Sequence, residues 1–232
     1  MCKSQNLRGR VKIAPEGING SVGGSADGCA AYVAAMEAHP LFGGIDWKSS
    51  TSEQEPFPDL IVKEDSEIVA SGRMKKVDVA SGGTHLSPED FHAAVAARDP
   101  ATTALIDVRN GYEVNIGHFE GASDPQTKIF GAFADWVDSN MEAGVCLASK
   151  EKVLMYCTGG IRCEKASAYL RSVGVEGEVA QLDGGIHKYL DTYGDGESLF
   201  HGRNFVFDTR GSLGPSQALA EGSGNAAAAD GA

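Results

Sequence analysis

The spacing of apolar and polar positions divides the chain into two stretches of different character. In the first, R-V-K-I-A-P-E-G-I-N-G-S-V-G-G over 10–24 places Val11, Ile13 and Ile18 as in extended strand. Pro15-Glu16-Gly17 interrupts that run, and Asn19-Gly20 reads as a hairpin turn. The pattern predicts a helix over 26–38 with Tyr32, Val33 and Met36 on one face, stopped by Pro40. Short strands are predicted from Ile45-Asp46-Trp47, over 60–63 and over 67–69.

The second stretch opens with Ser87-Pro88-Glu89-Asp90. Ser87 is a natural N-cap, Pro88 suits the first helical position, and the two acids favour the helix dipole. That helix runs to about Arg98. Strands follow at 104–108, 152–156 and 179–182, and helices at 130–141, 163–173 and 186–193. Short apolar strands alternating with helices imply an α/β unit, a parallel sheet with helices on both faces. Binding sites in such sheets lie at the carboxyl ends of the strands.

These patterns set the expected organisation. Residues 1–69 form an α+β unit, 70–83 a Gly/Ser/Lys linker, 84–210 the α/β unit and 211–232 a tail. The tail has no Lys or Arg and is mostly Gly, Ala and Ser, so it is expected to be disordered. The first unit offers several strands but one helix, whereas a two-layer sheet is normally covered by at least two helices. Either the rest of the chain covers that face or a preceding strand and helix are missing.

Composition narrows the function classes. Of the 232 residues 42% are hydrophobic, enough for a core, and no run approaches a membrane span, so no membrane partner is expected. No apolar leader follows Met1, which makes the cytoplasm the expected location, or an organelle if the start is truncated. A net charge of −12 disfavours non-specific nucleic-acid binding. Arg8, Arg10 and Lys12, and Arg73, Lys75 and Lys76, are two local basic clusters, read first as solvated surface charge. The odd count of five cysteines without a leader argues against a disulfide scaffold, and with no C-x-x-C pair a zinc ribbon is not supported and no metal site is expected. One working thiol in a reduced compartment fits the count.

The chemistry concentrates in Y-C-T-G-G-I-R-C-E-K-A-S over 156–167. Cys157 ends a buried strand, Thr158, Gly159, Gly160 and Ile161 lead to Arg162, and a helix follows. Such a loop wraps backbone N–H groups around the sulfur, and with Arg162 it lowers the thiol pKa. It favours a thiolate or persulfide. The corresponding loop of cysteine phosphatases is one residue longer, and no His precedes Cys157, so a sulfane sulfur suits this ring better than phosphate.

The loop, with I-D-V-R at 106–109 and G-H-F-E-G-A at 117–122, resembles a rhodanese domain. G-R-V-K-I-A-P-E-G-I-N-G at 9–20, D-V-R-N-G-Y-E at 107–113 and L-D-G-G-I at 182–186 narrow the resemblance to the rhodanese-domain tRNA uridine hydroxylases. It covers about residues 9–210. It implies a rhodanese domain preceded by a partial acylphosphatase-like α+β domain, and oxygen-dependent hydroxylation of the tRNA wobble uridine to 5-hydroxyuridine. It makes Cys157 the essential cysteine and 158–162 the anion cradle. Asp107 and Arg109 match the D-x-R element, as positioning residues or an internal salt bridge, with Glu113 a partner for Arg109. Cys163 either resolves a Cys157 intermediate or packs at the helix start. Lys165 adds positive field at the loop or faces solvent, and His118 stabilises a turn. The family's N-terminal strand and helix have no counterpart before G-R-V-K, and Phe205-Val206-Phe207-Asp208 leads into the Gly/Ala tail where many members carry a cysteine-rich segment.

Three readings follow. The first is a tRNA hydroxylase, with tRNA as partner, molecular oxygen as cosubstrate and no other cofactor evident. The second is a sulfurtransferase, in which a sulfane donor charges Cys157 as a persulfide and a thiol acceptor discharges it. The third is a rhodanese module that binds a partner or senses oxidation.

Overall fold

The computed structural model describes residues 1–194, 196–214 and 227–231, the last group by backbone alone. The chain forms two compact units, Met1–Ile68 with Val206–Ala232, and Val69–Phe205.

In the first unit, β1 (Arg8–Ala14) and β2 (Gly17–Gly23) form an antiparallel hairpin. Ala14 lies opposite Gly17, so Pro15-Glu16 is the turn and Asn19-Gly20 sits inside β2, one correction to the sequence reading. The reason is packing: a Cβ at Gly20 would come within 2.5 Å of the Arg10 carbonyl oxygen, so this glycine serves close strand approach. Helix α1 (Ala26–Glu37) is capped by Ser25, whose side chain accepts from Gly28 N at 3.2 Å. Then come β3 (Lys48–Thr51) and β4 (Leu60–Glu64), the latter parallel to β1. Ile45-Asp46-Trp47 precedes β3 rather than forming it; Trp47 packs edge-on to Tyr32 at 5.7 Å. Nor is 67–69 a strand. The Ile68 backbone is satisfied by side chains instead, its N–H by Glu16 at 3.1 Å and its carbonyl by Asn19 at 3.0 Å. Leu7, Val11, Val22, Cys29 and Tyr32 make the core.

A fifth strand, Ala227–Gly231, runs antiparallel between β2 and β3. Composition predicts disorder over 211–232, of which 215–226 and 232 lie outside the described residues; 227–231 pairs as a strand instead, because a strand is held by backbone N–H and C=O groups, which Ala and Gly supply as well as any residue.

The second unit contains β5 (Thr84–Leu86), α2 (Pro88–Ala96), β6 (Thr103–Asp107), α3 (Gly111–Val114) and β7 (Gly117–Phe119). They are followed by α4 (Phe133–Ser139), β8 (Lys152–Tyr156), α5 (Ile161–Ser172), β9 (Glu178–Leu182), α6 (Gly185–Tyr193) and β10 (Phe200–Gly202). The sheet is parallel, in the order β5-β9-β8-β6. Along β8, Val153 and Met155 enter one core with Val137, Ala166 and Leu170 of α4 and α5. Leu154 and Tyr156 enter the other with Phe91, Ile186 and Tyr189 of α2 and α6. A strand buried on both faces explains the unbroken apolar run. The stretch 70–83 packs within this unit: the 3-10 turn Gly72–Lys76 puts Met74, fully buried, into the same core as Cys163 and Leu170. Its Gly/Ser/Lys composition masks Met74 and Val77, which packs against the same core.

Candidate active site

Strand β8 delivers Cys157 to the carboxyl edge of the parallel sheet. The chain then curls through Thr158–Gly160, with Gly160 at φ 100°, and enters α5 at Ile161. A side chain would resist that left-handed turn. The curl aims Gly160 N–H at the Cys157 sulfur, 3.2 Å away. The start of α6 closes the loop from the other side: Ile186 N–H donates to the Cys157 carbonyl at 2.9 Å, and His187 N–H to that of Thr158 at 3.1 Å. Gly185 lets the two segments meet. A Cβ there would lie 2.6 Å from the Cys157 carbonyl oxygen and 2.7 Å from Gly160 N. Residues 184–186 are thus part of the site, a role the L-D-G-G-I string signalled only as a resemblance.

Arg162 turns away from the solvent into a bidentate pair with Glu113 of α3, at 2.6 and 2.7 Å, and donates to Thr158 Oγ1 at 3.0 Å. Both partners are buried. Sequence reasoning assigned Glu113 to Arg109; the structure gives it to Arg162. The local signal was the N-x-x-E spacing, since Glu113 also accepts from Asn110 N–H at 3.2 Å and so sits at a helix start. Burial works against the Glu113 carboxylate, but the Arg162 guanidinium outweighs it and holds the group below its ordinary 4.5.

Cys157 is fully buried, and burial alone would push its thiol up. A hydrogen bond from Cys163, the charge of Arg162 and the N–H groups of Arg162 and Gly160 overcome that cost and bring it from 9.0 to about 6. Cys163, also buried, moves the other way, well above 9.0, through burial first and then its bond to the Cys157 sulfur and that sulfur's charge. The pair is therefore a thiolate at Cys157 held by a protonated Cys163.

The remaining candidates lie behind the loop. Asp107 and Arg109 form a fully buried ion pair, Nε to Oδ1 at 2.9 Å and Nη2 to Oδ2 at 2.7 Å. Arg109 also reaches the Gly117 carbonyl and the rings of Tyr156 and Phe200. Lys165 does not face solvent: it is fully buried, and its Nζ donates to the Lys75 carbonyl at 3.4 Å. His118 hydrogen-bonds the Val114 carbonyl at 3.2 Å. Within the basic clusters, Arg10 pairs with Asp59 at 2.6 Å, Lys12 with Asp65 at 3.2 Å and Arg73 with Asp138 at 2.7 Å. Among the described residues no group of His, Cys, Asp or Glu is placed to hold a metal ion, and no helix is long and apolar enough to cross a membrane.

A parallel sheet with helices on both faces, carrying a thiolate in a tight loop at its carboxyl edge, defines a rhodanese-type unit. Residues 87–192 match the Rhodanese-like domain model, and residues 1–68 match the UPF0176 acylphosphatase like domain. The chain is 43% identical over 92% of its length to the tRNA uridine(34) hydroxylase of Jannaschia sp., and 42% identical over 92% to that of Roseobacter denitrificans. It spans 68% and 70% of those proteins. It belongs to the tRNA uridine(34) hydroxylase family. Among solved structures, the Rhodanese-like domain of an Anabaena sp. protein aligns with 51% of this chain and 78% of its own, at 23% identity and a TM-score of 0.40.

Proposed function

We propose that this protein hydroxylates the wobble uridine of tRNA to 5-hydroxyuridine, with Cys157 as its reactive group. The observation that carries the reading is the continuity of the family match. Identity of 43% extends over 214 residues, through both units and the Cys157 loop, to a protein named for that activity. The site supports it chemically, because the loop keeps one buried thiol ionised near neutral pH. Replacing the uridine C5–H by C5–OH is a two-electron oxidation. With molecular oxygen as cosubstrate, the second oxygen atom leaves as water and requires two electrons from a donor.

The same thiolate could be charged by a sulfane donor, which is the sulfurtransferase reading, and one experiment separates the two. The chain and its Cys157→Ser variant are expressed in a host lacking wobble-uridine hydroxylation, and tRNA nucleosides are analysed by mass spectrometry. Hydroxyuridine is expected with the intact cysteine alone. Folded protein that yields none, yet gains a sulfur on Cys157 after thiosulfate treatment, would overturn the hydroxylase reading in favour of sulfur transfer.

A further inference from the structure

On α3, immediately before Glu113, Tyr112 opens onto a cavity of about 330 Å³ that the chemistry at Cys157 does not use. It is lined by Tyr112 of α3, by Asn115 at its C-cap and by Asp124, Gln126, Thr127 and Lys128 from the 124–128 segment. The volume is at the small end of ligand pockets, roughly 300–1,000 Å³, and suits a planar ring better than a large ligand.

The cavity and the thiolate loop share one support. Glu113 binds Arg162 at 2.6 Å and accepts from Thr158 Oγ1 at 3.3 Å, so Tyr112 is fixed one residue away from the group that anchors the loop. The 124–128 lining is built rather than loose. Gln126 adopts φ 53°, a left-handed conformation that costs a non-glycine residue and persists where its surroundings impose it. Asp124 Oδ1 accepts from Gln126 N–H at 2.7 Å, Gly111 N–H donates to the Thr127 carbonyl at 2.9 Å, and Thr127 Oγ1 donates to Asn110 at 3.2 Å. The 124–127 segment is thereby tied to the start of α3.

The lining has the chemistry of a nucleotide site. Tyr112 is 48% exposed, and its ring, set edge-to-face with Phe205 at 5.4 Å, is an aromatic surface on which a base can stack. The amides of Asn115 and Gln126 each offer a donor and an acceptor, the pattern that reads a base edge. Lys128 supplies a positive charge for a phosphate. A chain of net charge −12 gains little from broad phosphate attraction, which raises the weight of local base contacts in any hold on RNA.

We infer that this cavity is a subsite for the base of a nucleotide adjoining the target uridine in a single-stranded RNA loop, with Tyr112 as its stacking platform and Lys128 on its phosphate. The inference rests on the reading of RNA as substrate.

The test measures binding and hydroxylation of an RNA hairpin carrying the target uridine in its loop. Each neighbour of that uridine is made abasic in turn, and the wild-type protein is compared with Tyr112→Ala, Tyr112→Phe and Lys128→Ala, each checked for folding by circular dichroism. Loss of one stacked base should weaken binding about tenfold. Tyr112→Ala is expected to raise Kd by that factor and Tyr112→Phe to retain wild-type affinity. One abasic position should cost the wild type the same factor and cost Tyr112→Ala nothing further. Lys128→Ala should flatten the salt dependence by about one phosphate contact. If the wild type binds and hydroxylates the hairpin but Tyr112→Ala binds equally well, or its loss multiplies with every abasic substitution, the subsite is refuted while the substrate reading stands. A folded wild type that neither binds nor modifies the hairpin removes the RNA reading and the subsite with it.

Discussion

Replacing Cys163 by alanine tests how the loop ionises its cysteine. Burial opposes the Cys157 thiolate, and the first of the groups that offset it is the Cys163 thiol. A hydrogen bond to a charged group contributes about 1.5–3 kcal/mol. A thiol is a weak donor, so the lower figure applies. At about 1.36 kcal/mol per pH unit, losing about 1.5 kcal/mol should raise the Cys157 midpoint from about 6 to about 7. The remaining contributors, the Arg162 charge and the N–H groups of Arg162 and Gly160, are untouched by the substitution. Ultraviolet absorbance of the thiolate follows the titration without a reagent having to reach the buried sulfur. The Cys157→Ser variant subtracts the other cysteines. A wild-type midpoint near that of a free thiol would refute the cradle argument as a whole. A midpoint that stays at about 6 in Cys163→Ala would refute the role given to Cys163 alone.

Two further outcomes follow from the same geometry. A thiol whose folded pKa is depressed contributes stability that is fully present above its unfolded value and is lost as pH falls through the folded one. For Cys157, between 9.0 and about 6, that amounts to roughly 4 kcal/mol above pH 9 and about 1.4 kcal/mol at pH 7. Urea melts of wild type and Cys157→Ser should therefore diverge with rising pH from about 6 upwards, and parallel curves across that range would contradict the assignment. Glu113→Gln leaves the Arg162 charge buried without its counter-ion, and denaturation at neutral pH should show a loss of about 3–5 kcal/mol; a loss below 1 kcal/mol would mean that the pair is solvated in solution.

Much of the site was legible because its parts are neighbours in sequence. A strand too apolar to face water, a cysteine at its end, two glycines and an arginine before a helix: each feature constrains the next through backbone geometry alone. The same holds for the start of α2, where Ser87 accepts from Asp90 N–H at 3.1 Å as its N-cap pattern implies. The family strings added a fold for the first unit that periodicity could not supply.

What the sequence left open was the choice of partner across long separations. Arg162 and Glu113 are 49 residues apart, and charge alone allowed Glu113 to pair with Arg109 as readily. Only the approach of α3 to the loop decides between them, leaving Asp107 to Arg109. Gly185 is likewise only one glycine of the L-D-G-G-I string until α6 is seated on the Cys157 carbonyl. Asn19-Gly20 has the local chemistry of a turn, yet pairing with β1 places it inside a strand. Met74 looks like part of a linker until the core of the second unit closes over it. The sequence by itself determined the stiffness, polarity and local turning of each segment, because those depend on adjacent residues. The tertiary structure decided which buried charge meets which, and which backbone may approach another, because in a low-dielectric, close-packed interior those choices are made by position in space.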